Sequence, residues 1–169
     1  RDNRLLVLGF YGFSPEPTVL PFDLHGIGRV VREVMPDGSL GPIFFLRFNR
    51  HAGWHESNTN YPYYTSASDP GFVQACEEML SDRLITQQWK EEHGDADELI
   101  ALKGRYKAFS YYTLPDSRVV GLWKWSLAGV TSDRGETWDW VGEVDSIENA
   151  GAKIWGQATS DGRFALVYN

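Results

Sequence analysis

The side chains equipped for chemistry in this sequence gather in two stretches rich in turn-forming residues. Residues 13–27 carry His25 among Pro15, Pro17 and Pro21. Residues 49–104 carry Arg50, His51, Trp54, His55, Glu56, Tyr61, Tyr63, Tyr64 and His93. Arg29 and Arg47 lie in the apolar runs that flank these stretches. A guanidinium is a rigid fork of donors that holds a carboxylate bidentately. An indole or phenol offers a flat apolar face with a polar tip. Histidine and glutamate take and give protons. Arg29, Arg47, Arg50, His51, Trp54 and Tyr63 are therefore candidate binding residues for a polar ring that bears a carboxylate. His25, His55 and Glu56 are the candidates for proton transfer. Plainer roles compete with each of these. The arginines can pair with surface acids, and His55-Glu56 can be a loop hydrogen-bond pair. His93, at the end of a helical stretch, suits the negative end of the helix dipole.

Composition narrows the classes of function. The chain has 169 residues, a net charge of −7, and 42% hydrophobic residues with 23% charged. That is ordinary globular usage. So acidic a chain is a poor partner for a phosphate backbone, and no nucleic acid is expected. No apolar run approaches the ~18 residues of a membrane span. Cys76 stands alone, which excludes an internal disulfide and a cysteine metal cluster. No metal and no cofactor are expected, since EF-hand, P-loop, dinucleotide-binding and zinc-protease motifs are all missing. Aromatic residues reach 14% of the chain. They fill β-cores, and they also stack on flat ligands.

The elements that must position these residues are mostly strands. Residues 4–12, 29–34 and 42–48 are apolar runs bounded by Gly and Pro, with Pro36-Asp37-Gly38 as a turn between the last two. One helix is expected from Asp69 to about His93. Asp69 is a fit N-cap, Pro70 suits the first helical position, and Phe72, Cys76, Met79 and Leu80 recur at helical spacing. Cys76, on that apolar stripe, reads as buried and structural. After residue 105 the chain turns to β: 107–114, 118–125, 128–132 and 137–144, then a restart at 153–159 and 163–168. Tyr111 and Tyr112, as neighbours in a strand, must point to opposite faces. Four short strands and a restart are the signature of a radially repeated sheet, with a unit of about 40–50 residues. The chain starts and stops inside strand-like runs, which suggests a fragment of a longer one.

One motif rises above the rest. Thr131-Ser132-Asp133-Arg134-Gly135-Glu136-Thr137-Trp138 reads T-x-D-x-G-x-T-W between the third and fourth strands of that unit. The Asp133 carboxylate can accept from the turn's own N–H groups, Gly135 can take a positive φ, and Trp138 can fold back between sheets. The octet resembles the Asp box, or BNR repeat, of sialidases and related β-propellers. Thr131, Asp133, Gly135, Thr137 and Trp138 then have the structural roles of that box. The segment Thr159-Ser160-Asp161-Gly162-Arg163-Phe164-Ala165-Leu166-Val167-Tyr168-Asn169 is similar to a blade opening in the same proteins. The resemblance is close over 105–169 and loose over 1–50.

The resemblance implies an all-β fold: a partial β-propeller of about two blades of four-stranded antiparallel sheet with one helical insertion. The layout is a partial blade at 1–48, a helix-containing insertion at 49–104, a complete blade at 105–150 and the start of the next at 151–169. The whole is expected to be a six- or seven-bladed propeller, within the roughly 4–8 blades such rings use, and the remaining blades are the chain's partners. In sialidase-like proteins the end of the blade opposite the Asp box carries the substrate, and both long loops fall there. Three functions stay open. A sialidase-like glycoside hydrolase would act on an acidic sugar. A propeller polysaccharide lyase would act on uronate-containing glycans, with a base and a charge-neutralising group. A binding propeller would only hold a glycan or glycoconjugate. The family implies a secreted or periplasmic protein.

Overall fold

In the computed structural model the residues described are 4–12, 18, 26–90, 97–148 and 151–169. The expected roles of His25 and His93 fall outside them. Contacts divide the chain into two compact units, Arg1–Ser81 and Asp82–Asn169.

In the first unit, β1 (Leu5–Gly12), β2 (Gly26–Val34) and β3 (Phe44–Phe48) form an antiparallel sheet in that order. The β2–β3 turn closes on Asp37, whose Oδ1 accepts from the backbone and hydroxyl of Ser39. Gly38 sits there at φ +82°, a value a side chain disfavours.

The β2–β3 register is interrupted. Arg29 pairs with Arg47 while Val30 pairs with Phe45, so Leu46 is an extra residue on β3. This β-bulge changes which side chains share a face. Without it, Phe45 and Arg47 would point the same way. With it, Phe45 and Phe48 lie on one face, their rings stacked 4.4 Å apart, and Arg47 turns to the other beside Arg29.

Helix α1 (Pro70–Ser81) is capped by Asp69, whose Oδ1 accepts from the N–H groups of Gly71 and Phe72. Its buried residues are Phe72 and Cys76, and the Phe72 ring meets Phe44 at 5.3 Å. Burying a side chain like Phe72 is worth about 1.5–3 kcal/mol. Arg4 bridges Glu33 on β2 and Asp69 at the cap, at 2.8 and 2.7 Å. The single helix expected as far as His93 is a break instead. α1 ends at Ser81, and Asp82 opens a second helix, α2 (Arg83–Gln87), by accepting from the Leu84 N–H. An aspartate competes for backbone donors more effectively than it extends a helix.

In the second unit, β4 (Ser110–Thr113), β5 (Val119–Trp123), β6 (Leu127–Thr131) and β7 (Trp140–Glu143) form a four-stranded antiparallel meander. β8 (Trp155–Ala158) and β9 (Phe164–Val167) make a two-stranded sheet. Tyr111 and Tyr112 face opposite ways, as alternation requires. Tyr111 joins the cluster of Leu84, Phe109, Val119, Trp123 and Leu127. Tyr112 joins Leu122, Ala128 and Ile154, against β8. Gly156 makes that second contact possible, because a Cβ there would lie 2.6 Å from the Tyr112 ring.

The octet between β6 and β7 is a closed hydrogen-bonded turn. The Asp133 carboxylate accepts from the hydroxyl of Thr131 and from both the N–H and hydroxyl of Thr137. The Thr131 hydroxyl also accepts from the Gly135 N–H, at 3.0 Å. These donors, the Thr137 hydroxyl foremost, hold the Asp133 pKa down to about 2. Trp138 lies over Gly121 and Gly129, which face each other across β5 and β6. A Cβ on Gly121 would come within 2.6 Å of Trp138. Two opposed glycines thus make the slot into which the indole drops. The turn is tied to α2 by Arg134 to Asp82 at 2.7 Å and Arg83 to Glu136 at 3.3 Å.

Candidate functional site

The candidate residues lie at the end of the β1–β3 sheet opposite the Asp37 turn, where β1 leaves, β2 begins and β3 ends. Gly26 pairs with Gly12 there, and Gly28 with Phe48. Gly28 is required by close approach, since a Cβ would lie 2.1 Å from the Arg47 carbonyl oxygen.

Arg29 and Arg47 are cross-strand partners, with Phe10 on the far side of Arg29. Arg29 is 91% buried, being 9% exposed. Two like charges directly opposite one another on a sheet are destabilising by themselves. Both arginines have interactions of their own within the protein, so the pair is held by more than each other.

The loop after β3 is held by its own hydrogen bonds. Asn49, 2% exposed, donates from its backbone to Ile27 O and from Nδ2 to Gly26 O. Its carbonyl accepts from Ala52 and Trp54. Asn58 donates to Gly53 O and accepts from the His55 N–H. Arg50 reaches Glu56 at 2.6 Å, and its guanidinium lies 6.0 Å over the Phe48 ring. The N–H of Glu56 itself, and then Arg50, pull the Glu56 carboxyl below the usual carboxylate range. Glu56 is therefore ionised at neutral pH, able to accept a proton rather than donate one. His55 does not share its ring with Glu56. Its Nδ1 lies 2.9 Å from the Ser57 hydroxyl. His51, in the Arg50–Ala52 turn, is exposed.

Trp54 and Tyr63 divide from the arginine pair. Both pack on the aromatic cluster of Ile27, Phe45 and Phe48, on the other face of the sheet. The Tyr63 ring is stacked 5.5 Å from Phe48. Burial raises the Tyr63 pKa, opposed by the fields of Arg47 and Arg50. Its phenol stays protonated at neutral pH. Tyr64, with rings 4.7 Å from Tyr63, is also raised, by burial first. The structure thus brings Arg29 to Arg47, and Arg50 to Glu56, with Tyr63 within electrostatic reach of Arg47, Arg50 and Glu56. Asn49 was not among the residues singled out from the sequence. Its only signal there is a polar residue straight after an apolar strand.

Comparison with known proteins bears on this geometry. A family model described as BT_1020-like, N-terminal beta propeller, matches residues 1–106. The chain belongs to that family. A solved structure described as a sialidase is 46% identical to this chain and superposes with a TM-score of 0.91. The match covers 100% of this chain and 16% of that one. Among curated proteins there is no match. The chain is therefore a sialidase-like β-propeller segment, mostly β with a small helical insert. It spans about a sixth of the length of the sialidase it matches. No helix among the described residues is long and apolar enough to cross a membrane.

Proposed function

We propose that this chain is part of a carbohydrate-active propeller, a glycoside hydrolase that acts on an acidic sugar. The observation that carries the reading is the pairing of Arg29 with Arg47 in a chain 46% identical, over its whole length, to a sialidase. The two guanidinium groups would take the sugar carboxylate, with Arg50 and His51 at the margin of the site. Tyr63 would donate a hydrogen bond, and Trp54 would wall the loop. Glu56, His55 and His25 would be the groups that move protons. The octet at 131–138 is read as an Asp box, a structural staple, which fits the way its carboxylate and threonines are spent on each other. The protein would work as a secreted or periplasmic enzyme, where polymeric glycans are found. Cell fractionation tests that placement.

The test of the reaction is mass spectrometry of products after the full-length protein is incubated with sialylated and uronate-containing glycans. Products that together gain one water support hydrolysis. Products whose masses sum to that of the substrate point to lyase elimination. An intact substrate that nevertheless binds points to a non-catalytic glycan-binding propeller.

A further inference from the structure

Asparagine is among the residues most favoured at a helix N-cap, because its side-chain oxygen takes up the free N–H groups of the first turn. Asn49 stands at the N-cap of the short turn Arg50–Ala52, yet its side chain makes no cap bond. The amide is turned across the sheet instead, and Nδ2 donates to Gly26 O at 2.8 Å, 23 residues earlier in the chain. The backbone of Asn49, at φ −77° and ψ 72°, has the inverse γ-turn conformation that bends a chain as it leaves a strand. Room for the amide exists because residue 26 is glycine. A Cβ there would lie 3.0 Å from Nδ2 and 2.8 Å from the Phe10 ring.

The loop that follows is closed on itself. Arg50 meets Glu56 at 2.6 Å, and Asn58 joins Gly53 O to the His55 N–H. Trp54 packs on Ile27, Phe45 and Phe48, which keeps the loop near the sheet. Apolar packing has no direction, whereas a hydrogen bond fixes one. The orientation of the loop therefore depends on Asn49. Its N–H donates to Ile27 O and its Nδ2 to Gly26 O, so it grips successive carbonyls at the start of β2. Its own carbonyl accepts from Ala52 and Trp54 in the loop. Asn49 is buried, so water does not compete for these bonds. Arg29 lies just beyond the gripped carbonyls on β2, and Arg47 just before Asn49 on β3.

We infer that Asn49 is a positioning residue, which sets the place of the Arg50–Glu56 pair relative to the Arg29–Arg47 pair by clamping residues 50–58 to the start of β2. This rests on the carbohydrate-active reading above. In that reading the arginines of the sheet hold the carboxylate, and Glu56 needs a fixed place to move a proton.

Asn49→Ala and Asn49→Ser in the full-length protein test it. Serine keeps a hydroxyl that can cap the Arg50–Ala52 turn but is too short to reach Gly26 O, so it separates the cross-strand bond from a local cap. The probes are an aryl sialoside and an aryl uronide, with kcat referred to the folded fraction read from denaturant unfolding. Both variants lower kcat about tenfold, because a slightly misplaced reacting group loses rate steeply. KM changes by less than about twofold, since the β2–β3 ladder holds Arg29 and Arg47 without the loop. Hydrogen exchange at the Ala52 and Trp54 amides quickens about tenfold, while the β1–β2 amides keep their rates. Variants with wild-type kcat and wild-type exchange overturn the inference. So does an Asn49→Ser protein that matches wild type while Asn49→Ala does not, since a local cap is then what counts. A lower melting temperature with unchanged kcat makes Asn49 structural and overturns it too. Asn49→Ser decides alone if Asn49→Ala does not fold. If wild type cleaves neither probe, the hydrolase reading falls, and exchange decides the inference. Quicker exchange at Ala52 and Trp54 in the variants then sustains the clamp, and unchanged exchange overturns it.

Discussion

At the residue scale, the Arg29–Arg47 pair has the clearest chemistry. Arginine and lysine are not equivalent where a planar fork must meet a carboxylate. Arg47→Lys is expected to weaken binding of an acidic sugar about tenfold while leaving affinity for its neutral methyl ester nearly unchanged. Calorimetry with the two ligands checks this, and an equal loss on both would mean that Arg47 serves packing. Cys76 is the opposite case, a reactive type made inert. Burial, reinforced by the charges of Glu77 and Glu33, pushes its thiol up to about 12. Almost no thiolate then exists at neutral pH. The folded protein is expected to resist iodoacetamide, with labelling at Cys76 only after denaturation, read by intact mass. Rapid labelling of the native protein would show that α1 opens.

At the element scale, the second unit depends on two glycines rather than on large side chains. Gly121 and Gly129 leave the slot for Trp138, and a methyl group on Gly121 collides with Trp138, Trp123 and Phe109 at once. Gly121→Ala is expected to destabilise the protein by about 1–3 kcal/mol, as overpacking does in a close-packed core. Denaturant unfolding followed by tryptophan fluorescence measures this. The glycines were legible in the sequence, but their pairing was not, because register depends on partners distant in the chain. The helix break at Asp82 was hidden for a related reason. The apolar spacing continues past it through Leu84, and only the cap geometry ends the first helix.

At the scale of the whole molecule, turn carboxylates link stability to pH. Asp133 and Asp161 have folded pKa values of about 2, against an ordinary 3.8. The Thr137 hydroxyl is the first cause at Asp133, and Arg163 is the first at Asp161. A folded pKa below the unfolded one means that the unfolded chain takes up protons first as pH falls. The contribution is therefore complete above the ordinary value of 3.8 and is lost as pH falls toward the folded value of about 2. Melting temperatures measured from pH 6 down to 2 should drop in this window, and Asp133→Asn should flatten the drop. An unchanged slope in the variant would remove Asp133 from the account.

By itself the sequence determined the strand-rich fold, the octet turn and the gathering of arginine, histidine and aromatic residues around the loops. These follow from local signals: alternation, turn residues, and an Asp spaced to reach its own backbone. Only the tertiary structure decided which of those residues meet. The extra Leu46 on β3 turns Arg47 away from Phe45 and sets it opposite Arg29. The same bulge sends Phe48 to the aromatic face, where it gathers Tyr63 and Trp54. His55 and Glu56 are neighbours in the chain, yet one binds Ser57 and the other Arg50. A bulge leaves no mark in composition or spacing. It lets β3 bury both Phe45 and Phe48 on one face of its pairing with β2, and that demand arises only when the strands pair.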